Sequence, residues 1–320
     1  MRSQRLAVIT GGGGFIGSHL ARRLHAAGWH VRVIDNESNG SRSNLPSAID
    51  YIVGDVRDPL VLGGVFDGPV EAVFHLAAQV SSMRAILDPA EDAATNIVGT
   101  INVLLQCIKH RVPRLLHASS MALYGQTDGS AVSEETPCSP ITCYGISKLA
   151  AENYVFASAM RTDLPVPLNV TAFRMFNVYG PGQSISNTDQ GVLSVFIARV
   201  LRNEPVLVFG TGEQSRDFIY IDDVIDAWYG AIDNPGSYGR VLNLGTGISQ
   251  TINKVLDDIL YSQHRKRDEY QVIHMPEIPG DQFNVRANSR LAMSVLNWNP
   301  RITFQDGLAS TISWAVSQGG

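Results

Sequence analysis

The chain has 320 residues, 44% of them hydrophobic, and a formal net charge of -5 at pH 7. This length and apolar content predict one large α/β unit or two closely joined domains. The charges do not form long runs of one sign, so they do not favour nucleic acid or an anionic membrane as a partner.

The cysteines and the N-terminus bear on the cellular compartment. Cys107, Cys138 and Cys143 give neither an even disulfide framework nor the paired spacing of a zinc site. The N-terminus lacks a signal-peptide cleavage pattern, and no apolar stretch reaches the about 20 residues that span a bilayer. We expect a reduced, cytoplasmic protein that holds no metal.

Short β-branched runs alternate with helical patterns in the first half of the chain. This alternation is typical of parallel strands joined by right-handed crossovers. It predicts an α/β fold with a Rossmann-type, doubly wound parallel sheet. The predicted strands are 5–10, 31–35, 50–54, 71–75, 114–119 and 169–174.

Gly11, Gly14 and Gly17 follow the first predicted strand and open a predicted helix. At such a turn, backbone N–H groups and the positive end of the helix dipole approach a pyrophosphate that a Cβ would obstruct. Asp35 ends the next strand, where its carboxylate can accept hydrogen bonds from the adenosine ribose and would repel a 2′-phosphate. The pattern predicts NAD rather than NADP, although glycine-rich turns also serve as plain connections.

Two further strand ends bear on the same ligand. Asp55 and Val56 follow the third predicted strand, and Leu76, Ala77 and Ala78 follow the fourth. An open α/β sheet holds its ligand at the carboxyl ends of its strands. His75 has no cluster of metal-ligating residues beside it, so we interpret it as structural.

Tyr144 and Lys148 are four residues apart, on one face of a predicted helix. A tyrosine has an ordinary pKa of about 10, but a neighbouring ammonium and the charge of oxidised NAD favour its phenolate. Lys148 can also bind the nicotinamide ribose. Ser120 follows a strand and offers a hydroxyl to the same substrate oxygen, although a lone serine there is more typical of a turn.

After Arg174 the glycine and proline content rises and the alternation becomes irregular. We expect an NAD-binding domain at 1–175 and a smaller, mainly C-terminal α/β substrate-binding lobe at 176–320. Helices are predicted near 189–203, 251–263 and 289–296. Segments near 217–247 are expected to return to the main sheet.

Motifs along nearly the whole chain resemble the extended short-chain dehydrogenase/reductase family, and within it the nucleotide-sugar epimerases. They read TGGGGFIGSHL, DNESNG, GDVRD, FHLAAQ, DPAEDAATNIVGTINVL, SSMALYG, YGISK, RMFNVYGPGQ and RDFIYIDDV. The resemblance implies NAD-dependent epimerisation of a UDP-hexose at C4 through a 4-keto intermediate. It also implies a homodimer formed by helices near 91–110 and 147–160.

The resemblance also implies residue roles. Ser120, Tyr144 and Lys148 match the family's catalytic triad. Asn177 and Arg216 match nucleotide-sugar contacts, although an arginine beside Asp217 is by itself more typical of a surface ion pair. Together with the three glycines, Tyr144 and Lys148, the matching cofactor contacts are Phe15, Ile16, Asp35, Asn36, Ser38, Asp55, Val56, Leu76, Ala77, Ala78, Asn96 and Phe176.

Three departures from the family pattern concern the substrate. Met121 and Ala122 stand where related dehydratases and decarboxylases carry a carboxylate, which favours simple epimerisation. Ile278 replaces an arginine that would contact the diphosphate, so we expect Arg286 to compensate. Val285 falls where a bulky residue restricts some epimerases to unsubstituted hexoses, so an N-acetyl group is expected to fit.

Two alternatives stay open. A dehydratase, decarboxylase or reductase would share the oxidation at C4 and divert the ketone. A non-catalytic NAD-binding protein on the same fold would have no need of the Tyr144 and Lys148 pair.

Overall fold

The computed structural model describes residues 4–186, 191–278, 280 and 282–319. All six strands predicted before residue 175 are present. The strands are β1 (Leu6–Thr10), β2 (His30–Asp35), β3 (Asp50–Val53), β4 (Val70–His75), β5 (Arg114–Ser120), β6 (Ala131–Val132), β7 (Asn169–Met175), β8 (Asn177–Tyr179), β9 (Val206–Phe209), β10 (Ser215–Tyr220), β11 (Arg240–Leu244), β12 (Ser249–Thr251), β13 (Val272–Met275) and β14 (Asn284–Ala287).

The helices include those predicted near 189–203, 251–263 and 289–296. A π-helical turn, Ala94–Val98, connects α4 and α5. None of the described helices combines the length and the apolar character needed to cross a membrane. The helices are α1 (Phe15–Ala26), α2 (Pro59–Val65), α3 (Ser82–Leu87), α4 (Pro89–Ala93), α5 (Gly99–Lys109), α6 (Cys143–Ala159), α7 (Val192–Leu201), α8 (Ile221–Ala231), α9 (Ile252–Ser262), α10 (Arg290–Leu296) and α11 (Phe304–Ser317).

The central sheet has seven strands in the order β11-β7-β5-β4-β1-β2-β3. Every neighbouring pair is parallel. The predicted Rossmann-type sheet is therefore confirmed. The strand order reverses direction between β1 and β4, and ligands bind outside the carboxyl ends of the strands at such a point.

Both faces of the central sheet are covered, which explains the continuous apolar runs of its strands. All five residues of β1 are buried. Ile9 belongs to a core cluster with Leu20 of α1 and Trp228 of α8. Val8 faces the opposite cluster, with Leu62 of α2 and Val103 of α5.

The smaller lobe is built around β10. This strand pairs in parallel with β8 and β14 and antiparallel with β12. Strand β11, the other strand in the segment near 217–247, pairs instead with β7 in the central sheet. The chain therefore enters the lobe, returns to the main sheet and enters the lobe again.

Candidate active site

The glycine turn between β1 and α1 forms one wall of a cavity of about 1280 Å³. Gly11 has a φ of 70°, and a Cβ there would lie 2.6 Å from the backbone nitrogen of Ala77. A Cβ at Gly17 would overlap the carbonyl oxygen of Gly11. Side chains at these positions would separate α1 from β1 and from the end of β4.

Helix α1 presents an open N-terminus at this wall. Its cap residue, Gly14, supplies no side-chain hydrogen bond, and its first turn carries no acidic residue. Gly14, Phe15 and Ile16 line the cavity. The unsatisfied N–H groups and the helix dipole together favour an anion here.

Asp35 lies at the end of β2 and lines the same cavity. Its Oδ2 accepts a hydrogen bond of 2.9 Å from Gly13 N, and its Oδ1 accepts one of 2.8 Å from Glu37 N. Burial raises the pKa of Asp35, and these two hydrogen bonds oppose that shift. Each oxygen has capacity for a further donor, so Asp35 can hold the turn and accept from a ribose hydroxyl.

Most of the predicted cofactor contacts share this cavity. Its walls include Gly11, Gly14, Phe15, Ile16, Gly17, Asp35, Asn36, Ser38, Val56, Leu76, Ala77, Ala78, Tyr144, Lys148 and Phe176. His75 lies behind the wall, where its ring bonds to Thr10 Oγ1 at 2.7 Å and Thr100 Oγ1 at 2.9 Å. Burial lowers the pKa of His75 to about 3, which fits a neutral structural side chain.

Asp55 and Asn96 are not among the described residues of the cavity wall. Asp55 accepts hydrogen bonds from Arg57 and, at 2.9 Å, from Asn36 Nδ2, so it fixes a wall residue. Asn96 Oδ1 accepts from Gln79 N at 2.8 Å, and its Nδ2 donates to Ser147 Oγ at 3.0 Å. The structure thus gives both residues an indirect part, since they hold the wall in place.

Ser120, Tyr144 and Lys148 all line this cavity. Thr142 caps α6 by accepting a 3.0 Å hydrogen bond from Gly145 N, which fixes where the helix starts. Lys148 is 4% exposed and its Nζ donates to the carbonyl oxygen of Ala118. The helix and the strand therefore bring the three side chains together.

Burial governs the ionisation of Tyr144 and Lys148. It raises the pKa of Tyr144, and a hydrogen bond with Ser120 opposes that shift. Burial lowers the pKa of Lys148 to about 8, and the carboxylates of Glu152 and Asp92 oppose that shift. The protein's own groups therefore leave Tyr144 a phenol at neutral pH, and further positive charge is needed to form the phenolate.

Asn177 and Arg216 lie on the lobe side of the cavity. Arg216 is 8% exposed, and its Nη1 donates to the carbonyl oxygens of Ser215 at 2.8 Å and Gln282 at 2.6 Å. Asp217 is fully buried and accepts from Thr246, Gly247 and Ala287. The alternative of a surface ion pair between residues 216 and 217 is therefore wrong.

The structure does not bring Arg286 to the described wall of the cavity, although Ile278 lies there. Strand β14 pairs Val285 with Arg216, so Arg286 points to the opposite face and is exposed. Val285 is 1% exposed and packs in a cluster with Tyr124, Phe176 and Ala287. The expected compensation by Arg286 therefore has no support in the geometry.

The sequence predicts the helix α7, but not that its N-terminus lines the cavity. Gly191, Val192 and Leu193 line the cavity, and the N-terminus of α7 has no side-chain cap. Gln183 is 8% exposed, lines the cavity, and has an Oε1 without a hydrogen-bond partner among the described residues. The signal in the sequence is the glycine that directly precedes the apolar run 192–201.

The fold and the site together define a class of protein. The chain combines a Rossmann-type sheet with one cavity whose wall holds an open glycine-rich turn, a serine, a tyrosine and a lysine. These are the features of a dinucleotide-dependent enzyme that moves a proton on its substrate.

Comparison with known proteins names the family. Residues 7–245 match the model of the NAD dependent epimerase/dehydratase family. The chain belongs to this family, which confirms the resemblance seen in the motifs.

Relatives of known identity cover nearly the whole chain. A UDP-glucose 4-epimerase of Mycolicibacterium smegmatis is 33% identical over 96% of this chain and 97% of its own length. The crystal structure of UDP-glucose 4-epimerase from Thermotoga maritima with UDP-glucose is 32% identical and covers 98% of this chain and 100% of its own, with a TM-score of 0.92. The Thermus thermophilus UDP-glucose 4-epimerase in complex with NAD is 31% identical over 97% of this chain and 98% of its own, with a TM-score of 0.89.

Proposed function

We propose that the chain is an NAD-dependent UDP-hexose 4-epimerase in which Ser120, Tyr144 and Lys148 form the catalytic group. One observation carries this proposal. The three side chains meet in the same cavity that runs past the glycine turn and reaches Arg216 in the lobe. A sugar bound there would lie between the dinucleotide site and the tyrosine hydroxyl.

The residues present fit NAD. The open N-terminus of α1 would hold its pyrophosphate, Asp35 its adenosine ribose, and Lys148 its nicotinamide ribose. The glycines support this fit because side chains at Gly11 and Gly17 would disrupt the turn that shapes the wall. Bound NAD supplies the reversible two-electron oxidation of the sugar carbon.

Tyr144 moves the proton. Its phenolate oxygen takes the proton of the sugar 4-hydroxyl. It returns the proton after the 4-keto sugar has rotated in the site and presents its opposite face. The Ser120 hydroxyl donates to the same sugar oxygen. Burial raises the pKa of Tyr144. The positive charge of the oxidised cofactor, together with the ammonium of Lys148, would act against that shift.

The surroundings of Tyr144 favour epimerisation over elimination or decarboxylation. A side pocket of about 270 Å³ adjoins Ser120 and Tyr144, and Met121 and Ala122 form part of its wall. The described residues of that wall include no carboxylate. A 4-keto sugar at this place therefore meets no described acid other than Tyr144 to divert it.

Residues of the smaller lobe would bind the nucleotide part of the substrate. Arg216 and Asn177 line the cavity, and both also line the side pocket that adjoins Ser120 and Tyr144. A guanidinium held by two carbonyl oxygens is preorganised for a diphosphate, which leaves water on binding and needs a cation.

The proposed function is tested by identifying the product of the reaction. We expect purified protein to convert UDP-galactose and UDP-glucose into each other, as followed by proton NMR, with no net reduction of NAD. UDP-N-acetylglucosamine and UDP-glucuronate, offered in parallel, define the hexose that the site prefers. Formation of a 4-keto-6-deoxy sugar or a pentose instead would overturn the assignment.

We also propose a homodimer formed by the helical run 89–109 and by α6. Apolar side chains on these helices are exposed, among them Val98 at 48%, Leu105 at 56% and Tyr154 at 48%. Burying such side chains against a second copy removes apolar surface from water. Light scattering is expected to give twice the mass of the chain, and Leu105→Glu is expected to lower it; a monomeric wild-type protein would refute the proposal.

A further inference from the structure

Helix α6 carries a third ionisable side chain in line with the catalytic pair. Tyr144, Lys148 and Glu152 repeat at every fourth position, so they lie along one face of the helix. Lys148 is 4% exposed and Glu152 is 3% exposed. The proposed mechanism uses the first two of these residues and leaves the buried carboxylate without a role.

Glu152 is held by residues of two strands. Arg174 of β7 donates to it twice, from Nη2 to Oε1 at 2.6 Å and from Nε to Oε2 at 3.1 Å. Ser119 of β5 donates from Oγ to Oε2 at 2.6 Å. Glu152 therefore ties α6 to the end of β5 at the residue next to Ser120.

The guanidinium of Arg174 has further partners. Its Nη1 donates to Tyr124 OH at 3.1 Å, and that hydroxyl donates to Asn243 Oδ1 at 2.7 Å. Both members of the ion pair have less than a tenth of their side chains exposed. Removing either charge alone would leave the other uncompensated in the interior.

Several charged or titratable groups face Lys148. His75 of β4 and His117 of β5 lie on the strand side, and burial lowers the pKa of both, so they are neutral. Asp92 of α4 and Glu152 of α6 are the carboxylates that act on Lys148, while Tyr144 lies one turn before it. Arg174 is the second buried cation, held next to Glu152.

We propose that Glu152 is a positioning residue for Lys148: by neutralising Arg174 it keeps the lysine protonated at working pH, and with Ser119 it fixes the strand end that carries Ser120. This inference rests on the roles proposed above for Tyr144 and Lys148. Without the carboxylate, two cations would share one buried site, and the lysine would be the one to lose its proton.

The protonation of Lys148 can be measured without substrate. The sequence has four lysines, Lys109, Lys148, Lys254 and Lys266. NAD-loaded protein labelled with ¹³Cε-lysine gives a small set of NMR signals, and Lys148→Met identifies the one that belongs to Lys148. Its chemical shift is then followed against pH in the wild type and in three variants.

The two single variants are expected to shift the titration midpoint of Lys148 in opposite directions. In Glu152→Gln the titration midpoint of Lys148 falls by about one pH unit, and in Arg174→Gln it rises by a similar amount. The double variant Glu152→Gln/Arg174→Gln returns close to the wild-type midpoint, because the net charge of the site is restored. The high-pH limb of turnover is expected to move in the same directions.

A purely structural role for Glu152 predicts a different result. The midpoint would then stay unchanged in every folded variant, and the double variant would be the most damaged; either outcome overturns the inference. If Glu152→Gln does not fold, the shift in Arg174→Gln and its reversal in the double variant decide the question. Failure of the proposed function can be distinguished from failure of this inference. In that case the wild-type protein would not epimerise nucleotide sugars, although the variants would still shift the titration midpoint of Lys148 as expected.

Discussion

Arg216 and Asp217 are neighbours on β10, but their side chains serve opposite faces of the strand. The guanidinium of Arg216 faces the cavity. The carboxylate of Asp217 accepts from Thr246 N at 2.8 Å and Ala287 N at 2.9 Å on the other side. One position therefore contacts the ligand site, while the next joins the turn after β11 to β14.

Replacing Arg216 should weaken substrate binding. We expect Arg216→Gln to raise KM for the nucleotide sugar about 10- to 100-fold, because a charge-assisted pair with a diphosphate is lost. Steady-state kinetics measures this change. Arg286→Gln is the matched control, since Arg286 is exposed on the adjacent β14; an equal effect there would restore Arg286 as a diphosphate ligand.

Replacing Asp217 should act on stability. Asp217→Asn removes a buried charge that several backbone N–H groups share, and we expect the free energy of unfolding to fall by about 2–3 kcal/mol. Urea unfolding followed by circular dichroism measures the loss. Asp222→Asn on the exposed side of α8 should change stability by less than about 0.5 kcal/mol.

Tyr144→Phe removes one hydroxyl from the proposed catalytic group. We expect turnover to fall by about 10²- to 10⁴-fold, the usual contribution of a positioned acid–base group, with the NAD content unchanged. The change is measured by coupled assay of product and by release of bound NAD. Tyr261→Phe is the control, because Tyr261 is 83% exposed on α9; near-normal turnover in Tyr144→Phe would exclude the tyrosine as the base.

Gly11→Ala should abolish tight NAD binding. The new Cβ would lie 2.6 Å from Ala77 N, and the backbone would carry a side chain at a φ of 70°. Gly28 has a φ of 84° but open space around its Cβ direction. Gly28→Ala is therefore expected to cost about 1 kcal/mol of stability through the backbone alone and to leave NAD affinity intact. Isothermal titration calorimetry with NAD distinguishes the effects of the two variants on NAD affinity. Unchanged affinity in Gly11→Ala would mean that this turn is not the pyrophosphate site.

The lowered pKa of Asp55 predicts that the stability of the fold depends on pH. Hydrogen bonding to Arg57 lowers the pKa of Asp55 to about 2. A carboxyl with a lowered native pKa stabilises the fold above its unfolded pKa of about 4 and loses that contribution as the pH falls toward 2. Asp55→Asn should therefore cost about 1–2 kcal/mol at pH 7 and little at pH 2, as measured by urea unfolding. An equal difference at both pH values would contradict this assignment.

Much of the fold was predictable because its signals are local. The strands of the central sheet are buried on both faces, so their β-branched runs stand out between turns. The pairing of Tyr144 with Lys148 follows from helical spacing alone. Strands of two or three residues, such as β6 and β12, carry no such pattern, so the smaller sheet could not be read from the sequence.

The parts of the site that could not be predicted from the sequence depend on side-chain direction. The sequence predicts Asp55 and Asn96 as cofactor contacts, but it does not show their hydrogen bonds to Arg57, Asn36 and Gln79. The face on which Arg286 lies depends on the register of β14 against β10, which residue types do not encode. The contact between Glu152 and Arg174 joins a helix to a strand 22 residues later, so it appears only in three dimensions.

The return of β11 to the central sheet has a consequence for dissecting this molecule. A fragment ending at residue 175 would lack β11 and leave the hydrogen-bonding groups of β7 exposed along one side. Unpaired edges of this kind recruit strands from other chains. We expect such a fragment to aggregate when expressed alone, whereas the intact polypeptide unfolds as a single cooperative body.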